Sequence, residues 1–300
     1  MLITGKPEVE AVFVVTKPLQ LIVAEIIKQQ LGYKKCSLLI INQFADAQNV
    51  CNRVRDHEDW EEVVFFTNRW SAVKFLIGGV SFSSLYVHED AGLKHHIRMK
   101  VVKFFKKSIQ INVYEEGIGS YRVDVLKPSL KKKLYNMLGI GVVFGGSKYT
   151  NLFYLFEPNR ISIAQQTVRE KVRRIETSLV AHLESQLKRY QYYFDTEECF
   201  KDLQGLVCIL YLSSWQVDES FINKLPHLTD ERATLVFKPH PNIKNYLNYN
   251  LFDFVVPNRV PAELLLIHLA NSFESVKVFH HNSSAAQYVS SSGIEYQNIS

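Results

Sequence analysis

Long hydrophobic runs are missing from this chain. No apolar stretch reaches the about 18 residues that a membrane-crossing helix needs. The start, Met1-Leu2-Ile3-Thr4-Gly5-Lys6-Pro7, has no basic segment leading into a long apolar stretch, so no secretory leader is expected. Cysteine is scarce: Cys36, Cys51, Cys199 and Cys208 are scattered, and no two form a CxxC pair. That scatter argues against a zinc site and a disulfide framework and fits a reducing, cytoplasmic setting. Internal repeats and low-complexity tracts are absent. Basic residues are not interleaved with a stacking platform of aromatics, so nucleic acid is not an expected partner.

What is present is an ordinary globular composition, 47% apolar and 22% charged. The 300 residues suffice for two domains of roughly 150 residues each. The net charge is +5. Basic residues gather at Lys127, Lys131, Lys132 and Lys133, and again at Arg169, Lys171, Arg173 and Arg174. These are either solvated helix faces or surfaces that attract an anion such as a lipid headgroup, a phosphorylated glycan or a nucleotide.

Apolar β-type runs alternate with helical stretches in the first third. Strands are expected at Ala11–Val15, Ser37–Ile41, Val63–Phe66, Ser83–Val87 and Ile109–Val113. Helices are expected from Pro18 to Leu31, up to Val54, from Trp70 to Ile77 and from Leu93 to Phe105. Continuous apolar strands separated by helices imply a parallel sheet covered on both faces. Pro18 suits a first helical turn, where its missing N–H costs nothing. Residues 124–157 are less regular, with a short basic amphipathic helix at Lys131–Met137. Gly139, Gly141, Gly145 and Gly146 read as a mobile loop. A dinucleotide fingerprint fails there, because no helix opens directly behind the glycines and no ribose-binding acid follows at the required distance. Residues 161–193 read as one long polar helix, either a connection between lobes or an oligomer surface such as that of a homodimer. A second α/β half follows, with strands at Leu206–Leu212, Thr234–Phe237, Phe254–Val256, Val276–Phe279 and Ile294–Tyr296. The expectation is two Rossmann-like domains, 1–160 and 161–300, facing a central cleft.

Three polar clusters stand at strand ends, where ligands bind in open α/β sheets. The first is Glu115-Glu116-Gly117. A carboxylate there acts as a general base, or accepts hydrogen bonds from sugar hydroxyls, or serves only a turn or a structural ion pair. The second is Lys238-Pro239-His240-Pro241-Asn242. Two prolines stiffen the backbone around a histidine that titrates near neutrality, suited to meeting a leaving phosphate, with Lys238 raising the local potential. The bland alternative is an exposed turn. The third is His280-His281-Asn282-Ser283-Ser284, where serines before a short helix are either simple caps or phosphate ligands. The adjacent histidines point apart on a strand, so no metal is expected. Asp218, beyond the first strand of the second half, is either a cleft-lining acid or a helix cap.

Taken in order, Glu115-Glu116-Gly117, His240-Pro241 and Ser283-Ser284 resemble the acid-acid-glycine, His-Pro and serine motifs of bacterial sialyltransferases. The resemblance is closest to the lipooligosaccharide sialyltransferases (glycosyltransferase family 52) and their polysialyltransferase relatives. It implies a GT-B-like fold and metal-independent, inverting transfer from CMP-sialic acid to a terminal galactose or related sugar of a lipooligosaccharide or capsular glycan, with no cofactor. It implies that His240 meets the departing CMP phosphate, that Ser283 and Ser284 bind it, and that Pro241 shapes the nucleotide pocket. Glu115, Gly117 and Lys238 are expected beside the substrates. The general base is Asp218 or Glu116, with Asp218 narrowly favoured. The implied partners are a nucleotide-sugar donor and a lipid-linked glycan acceptor, with the basic patches suited to peripheral contact with the inner membrane. Another donor such as UDP-glucose, and a non-catalytic glycan-binding protein, are the alternatives. The Glu-Glu pair departs from relatives that carry an aspartate.

Overall fold

The computed structural model describes residues 8–162, 165–225, 233–241, 243 and 250–299. Asn242, the last residue of the His-Pro run, and Met1–Pro7 lie outside the described residues. The chain divides into two compact units, one made of Met1–Asn42 with Ala47–Ser178, the other of Gln43–Asp46 with Leu179–Ser300.

The first unit alternates strand and helix: β1 (Glu8–Val15), α1 (Pro18–Gln30), β2 (Cys36–Ile41), α2 (Ala47–Arg55), β3 (Glu62–Phe66), α3 (Arg69–Gly78), β4 (Ser81–Val87), α4 (Leu93–Phe105) and β5 (Gln110–Tyr114). There follow α5 (Leu130–Met137), β6 (Thr150–Leu155), α6 (Gln166–Arg169) and β7 (Val172–Arg174). The strands form one sheet in the order β3-β2-β1-β4-β5-β6-β7, and every pairing is parallel. The cause is visible in the side chains. All six residues of β2 are buried, as are the last five of β1, so these strands are covered on both faces. Pro18 opens α1, and the Asn68 side chain caps α3 by accepting from the Trp70 and Ser71 amides at 3.0 Å each.

The second unit begins with α7 (Leu179–Ser185), α8 (Leu187–Phe194) and α9 (Glu197–Phe200). It continues through β8 (Gly205–Leu212), α10 (Glu219–Ile222), β9 (Thr234–Lys238), β10 (Phe254–Val255), α11 (Ala262–Ser272), β11 (Phe273–His280), α12 (Ala285–Tyr288) and β12 (Ile294–Asn298). Its sheet, β10-β9-β8-β11-β12, is again wholly parallel. Both orders run outward from the unit's first strand and then reverse, as in a doubly wound Rossmann sheet. The fold class is therefore α/β and GT-B-like, with two Rossmann-like units.

Three expectations are corrected. Residues 161–193 are not one helix: they hold α6, the edge strand β7, α7 and most of α8. Because β7 pairs with β6, the first unit runs to Ser178 rather than to residue 160. The glycine-rich segment is not a loose loop either. Ile140, Val142, Val143 and Phe144 are buried. Asp90 clasps the next turn, accepting from the Gly145 amide at 2.8 Å, the Ser147 amide at 2.9 Å and the Thr150 hydroxyl at 2.7 Å. Gly145 has φ +74°, and a Cβ there would meet the Phe153 ring at 2.6 Å, so only glycine fits. No helix among the described residues is long and apolar enough to cross a membrane.

Candidate functional site

Each sheet has a point where strand order reverses, and the polar strand ends gather there. In the second unit the reversal lies between β8 and β11. Lys238, Leu212, His280 and Asn298 sit on one rung of β9, β8, β11 and β12. Residues just past this rung share the carboxyl edge, about 5 Å from one strand to the next. His240 leaves β9 and is tied to the segment after β8, its amide donating to Ser213 Oγ at 2.9 Å. Its ring stacks on exposed Trp215 with centroids 4.9 Å apart. The Ile243 amide donates to the His240 carbonyl at 2.9 Å, closing the His240-Pro241 corner as a turn.

On the other side of β8, the Ser283 amide donates to His280 Nδ1 at 3.2 Å, and Ser283 Oγ accepts from the Ala285 amide at 3.3 Å. Ser284 stands at the start of α12 without a side-chain capping bond. Since α12 has only four residues, any phosphate affinity falls to hydroxyls more than to an aligned helix dipole.

Asp218 is the cap of α10. Its Oδ1 accepts from Ser220 Oγ at 2.7 Å and from the Phe221 amide at 3.1 Å. The Ser220 and Phe221 bonds hold its carboxyl below the usual range. Its own amide donates to Tyr211 Oη at 3.0 Å, and that oxygen lies 3.2 Å from His281 Nε2. Asp218, His240, Ser283 and Ser284 thus issue from the carboxyl ends of three adjacent strands.

Lys238 does not face this edge. It is buried, and its ammonium donates to the Pro239 carbonyl at 2.8 Å and the Asn258 carbonyl at 3.5 Å. Burial pushes it down to about 7, against the field of buried Glu263. It braces the His-Pro corner from beneath, which corrects its expected place at the substrate.

In the first unit the reversal lies between β1 and β4, with β5 alongside. Glu115 is completely buried, accepting from Tyr121 Oη at 2.6 Å and the Phe156 amide at 2.7 Å. It has no surface for a substrate, which corrects a second expectation. Glu116 faces the other way. Its Oε2 accepts from Lys17 Nζ at 3.1 Å and from Gln20 Nε2 at 3.4 Å. Gly117, at the start of the next turn, has φ +112°, a conformation that side chains rarely tolerate.

Sequence reasoning missed the groups around Glu116. Gln20 Oε1 accepts from the Thr16 amide at 2.7 Å, and Thr16 Oγ1 lies 3.2 Å from His88 Nε2. Glu89 pairs with Arg69 at 3.3 Å and with His95 at 3.1 Å. His88, Glu89, Arg69, His95 and Arg98 line a cavity of about 70 Å³. His88 Nδ1 and the Arg98 Nε and Nη1 atoms are buried without hydrogen-bond partners among the described residues. Burial holds His88 well below its ordinary value, His95 down to about 3, and Glu89 up. The signal was available: His88-Glu89-Asp90 directly follows a strand, as Glu115-Glu116-Gly117 does. No group of three or more His, Cys, Asp or Glu residues suited to a metal occurs among the described residues.

Solved structures similar to this chain include the wall teichoic acid polymerase TagF, at 10% identity and TM-score 0.49, covering 92% of this chain and 65% of that one. The chain thus spans just under two thirds of that protein. Anabaena Alr3699/HepE in complex with UDP and glucose is similar at 11% identity and TM-score 0.49, covering 97% and 85%. The calicheamicin glycosyltransferase CalG4 is similar at 10% identity and TM-score 0.44, covering 94% and 76%. No curated protein sequence matches. The sequence profile of the alpha-2,8-polysialyltransferase (POLYST) family matches residues 11–298, nearly the whole chain. The chain belongs to the alpha-2,8-polysialyltransferase family, a sialyltransferase-like family of glycosyltransferases.

Proposed function

We propose that the protein transfers sialic acid from CMP-sialic acid to the terminal sugar of a bacterial glycan, with inversion and without a metal or cofactor. The acceptor ends in galactose, a related sugar or sialic acid, on a capsular glycan or lipooligosaccharide. The observation that carries this reading is the arrangement of His240, Ser283 and Ser284 at the switch point of the second sheet, within a chain of this family. As the bond from the anomeric carbon to phosphate oxygen breaks, its electron pair leaves with CMP. His240 donates to that oxygen, and the serine hydroxyls hold the phosphate. Charge is thereby met by fixed donors where it develops.

The acceptor hydroxyl must lose its proton. We take Glu116 rather than Asp218 as the base, because Asp218 Oδ1 is committed to the cap of α10, accepting from the Ser220 hydroxyl and the Phe221 amide. Glu116 is a carboxylate just before the turn that follows β5, in the acid-acid-glycine run that carries the resemblance to the polysialyltransferases.

The test is an initial-rate assay of purified protein with CMP-sialic acid in EDTA, on acceptors ending in galactose and in sialic acid, with UDP-glucose as the rival donor. Transfer from CMP-sialic acid is expected, with turnover falling by about 10²-fold or more in His240→Ala. Transfer from UDP-glucose alone, or an effect of His240→Ala below tenfold, overturns the reading.

A further inference from the structure

Among the described residues, helix α5 is long enough to be amphipathic yet has no buried residue. Its apolar side chains point into solvent: Leu130 is 84% exposed, Leu134 51%, Met137 83%, and Leu138, just past the end, 51%. At 3.6 residues per turn these four fall within about 100° of each other, a single stripe. Lys133 borders the stripe on one side and Lys131 on the other. Lys132 lies on the opposite face, where its ammonium donates to the Val123 carbonyl at 3.4 Å. The Ser129 hydroxyl caps the helix by accepting from the Lys132 amide at 3.2 Å, so the stripe is held in helical register. From Gly117 to Phe156 the chain has six basic residues and a single acid, Asp124. That acid is taken by Arg122, with both carboxylate oxygens at 2.9 Å.

We propose that α5 is an interfacial anchor that lies on an anionic lipid bilayer. The leucine and methionine stripe enters the boundary between headgroups and acyl chains, and Lys131 and Lys133 reach sideways to the headgroup phosphates. Lys127 adds to the attraction. Two other occupants fit less well. A second copy of the chain would set lysine rows against each other, and one face of an eight-residue helix falls far short of the roughly 1,200 Å² of a stable interface. A soluble polyanion would satisfy the lysines and leave the stripe in water. The inference rests on this surface alone and not on the donor or acceptor assigned above.

The experiment is co-sedimentation of the purified chain with vesicles of phosphatidylcholine alone or with one third phosphatidylglycerol. The wild-type protein is expected to bind the anionic vesicles at least about tenfold more than the neutral ones, and high salt is expected to lower binding to the anionic vesicles toward the residual apolar level seen on the neutral ones. The Leu130→Ser/Leu134→Ser/Met137→Ser variant is expected to bind at least about tenfold less, as is Lys131→Glu/Lys133→Glu. Since these side chains are exposed, melting temperatures are expected within about 2 °C of wild type. A second readout uses Leu134→Trp: the emission that the new indole adds to the wild-type spectrum is expected to shift to the blue with anionic vesicles. Absence of wild-type binding, equal binding by the variants, or no change in the added indole emission overturns the proposal. So does a concentration-dependent dimer that the serine variant abolishes while vesicle binding is absent.

Discussion

At the residue scale, two carboxylates at strand ends are sorted by what they already bond. Asp218 is committed to the Phe221 amide and the Ser220 hydroxyl, whereas Glu116 is held by side chains, Lys17 and Gln20. Glu116→Gln is therefore expected to lower turnover from CMP-sialic acid by about 10²–10⁴-fold, with the fold intact by circular dichroism. Asp218→Asn keeps an oxygen on the cap and is expected to stay within about tenfold of wild type. Asp218→Ala loses the cap, at about 0.5–2 kcal/mol, read as a lower denaturation midpoint. If the two rank the other way in turnover, Asp218 is the base. Buried Lys238 makes a separate prediction. Its folded value of about 7 lies below the ordinary 10.5, so burial opposes its protonated form. Below about 7 both folded and unfolded chains hold the proton, and the cost is fully present. From about 7 to 10.5 only the unfolded chain holds it, so folded stability rises with pH. Wild type compared with Lys238→Met/Glu263→Gln in thermal melts is expected to gain stability across that window, and a flat difference contradicts it. The motifs were legible as residue types, but their roles were not. Nothing in Glu-Glu-Gly reveals that Glu115 turns inward to Tyr121, nor in Lys-Pro-His-Pro that the lysine lies under the corner.

At the element scale, strands buried on both faces announced themselves. β2, Cys-Ser-Leu-Leu-Ile-Ile, has no exposed residue and reads as a strand without its neighbours. β6 was hidden because Asn151 and Leu152 interrupt its burial and a register shift marks its pairing with β5. β7 was hidden by its length of three residues and its two arginines, which suit an exposed edge. The glycine-rich segment misled because glycine signals freedom locally, while its order comes from Asp90, 55 residues before Gly145. That clasp carries the prediction for this scale. Asp90→Ala strips partners from the Gly145 and Ser147 amides and the Thr150 hydroxyl, all in a buried setting. A loss of about 3–5 kcal/mol is expected in denaturant unfolding, against about 0.5 kcal/mol for a surface acid such as Asp124. Near-equal losses would show that the segment is held by its apolar side chains alone.

At the scale of the whole molecule, two sheets with the same outward-and-back strand order mean two separately cored units, and the boundary decides which pieces can fold. The last strand of the first sheet is β7, whose Val172, Arg173 and Arg174 pair with Phe153, Tyr154 and Leu155 of β6. β6 is largely apolar and buried, so without β7 it becomes an unpaired hydrophobic edge, while β7 itself presents arginines. Exposed apolar edges seed strand addition between molecules, and charged edges resist it. The core beside β6 also loses Val168, completely buried and packed with Val143, Phe144 and Phe153. A fragment ending at Ser178 is therefore expected to be monomeric and to melt cooperatively. One ending at Arg160, the boundary the sequence suggested, is expected to aggregate. Size-exclusion chromatography and thermal melts of the two fragments separate these outcomes. If the shorter one is equally monomeric and cooperative, β7 contributes little to the unit, and the first core closes at β6.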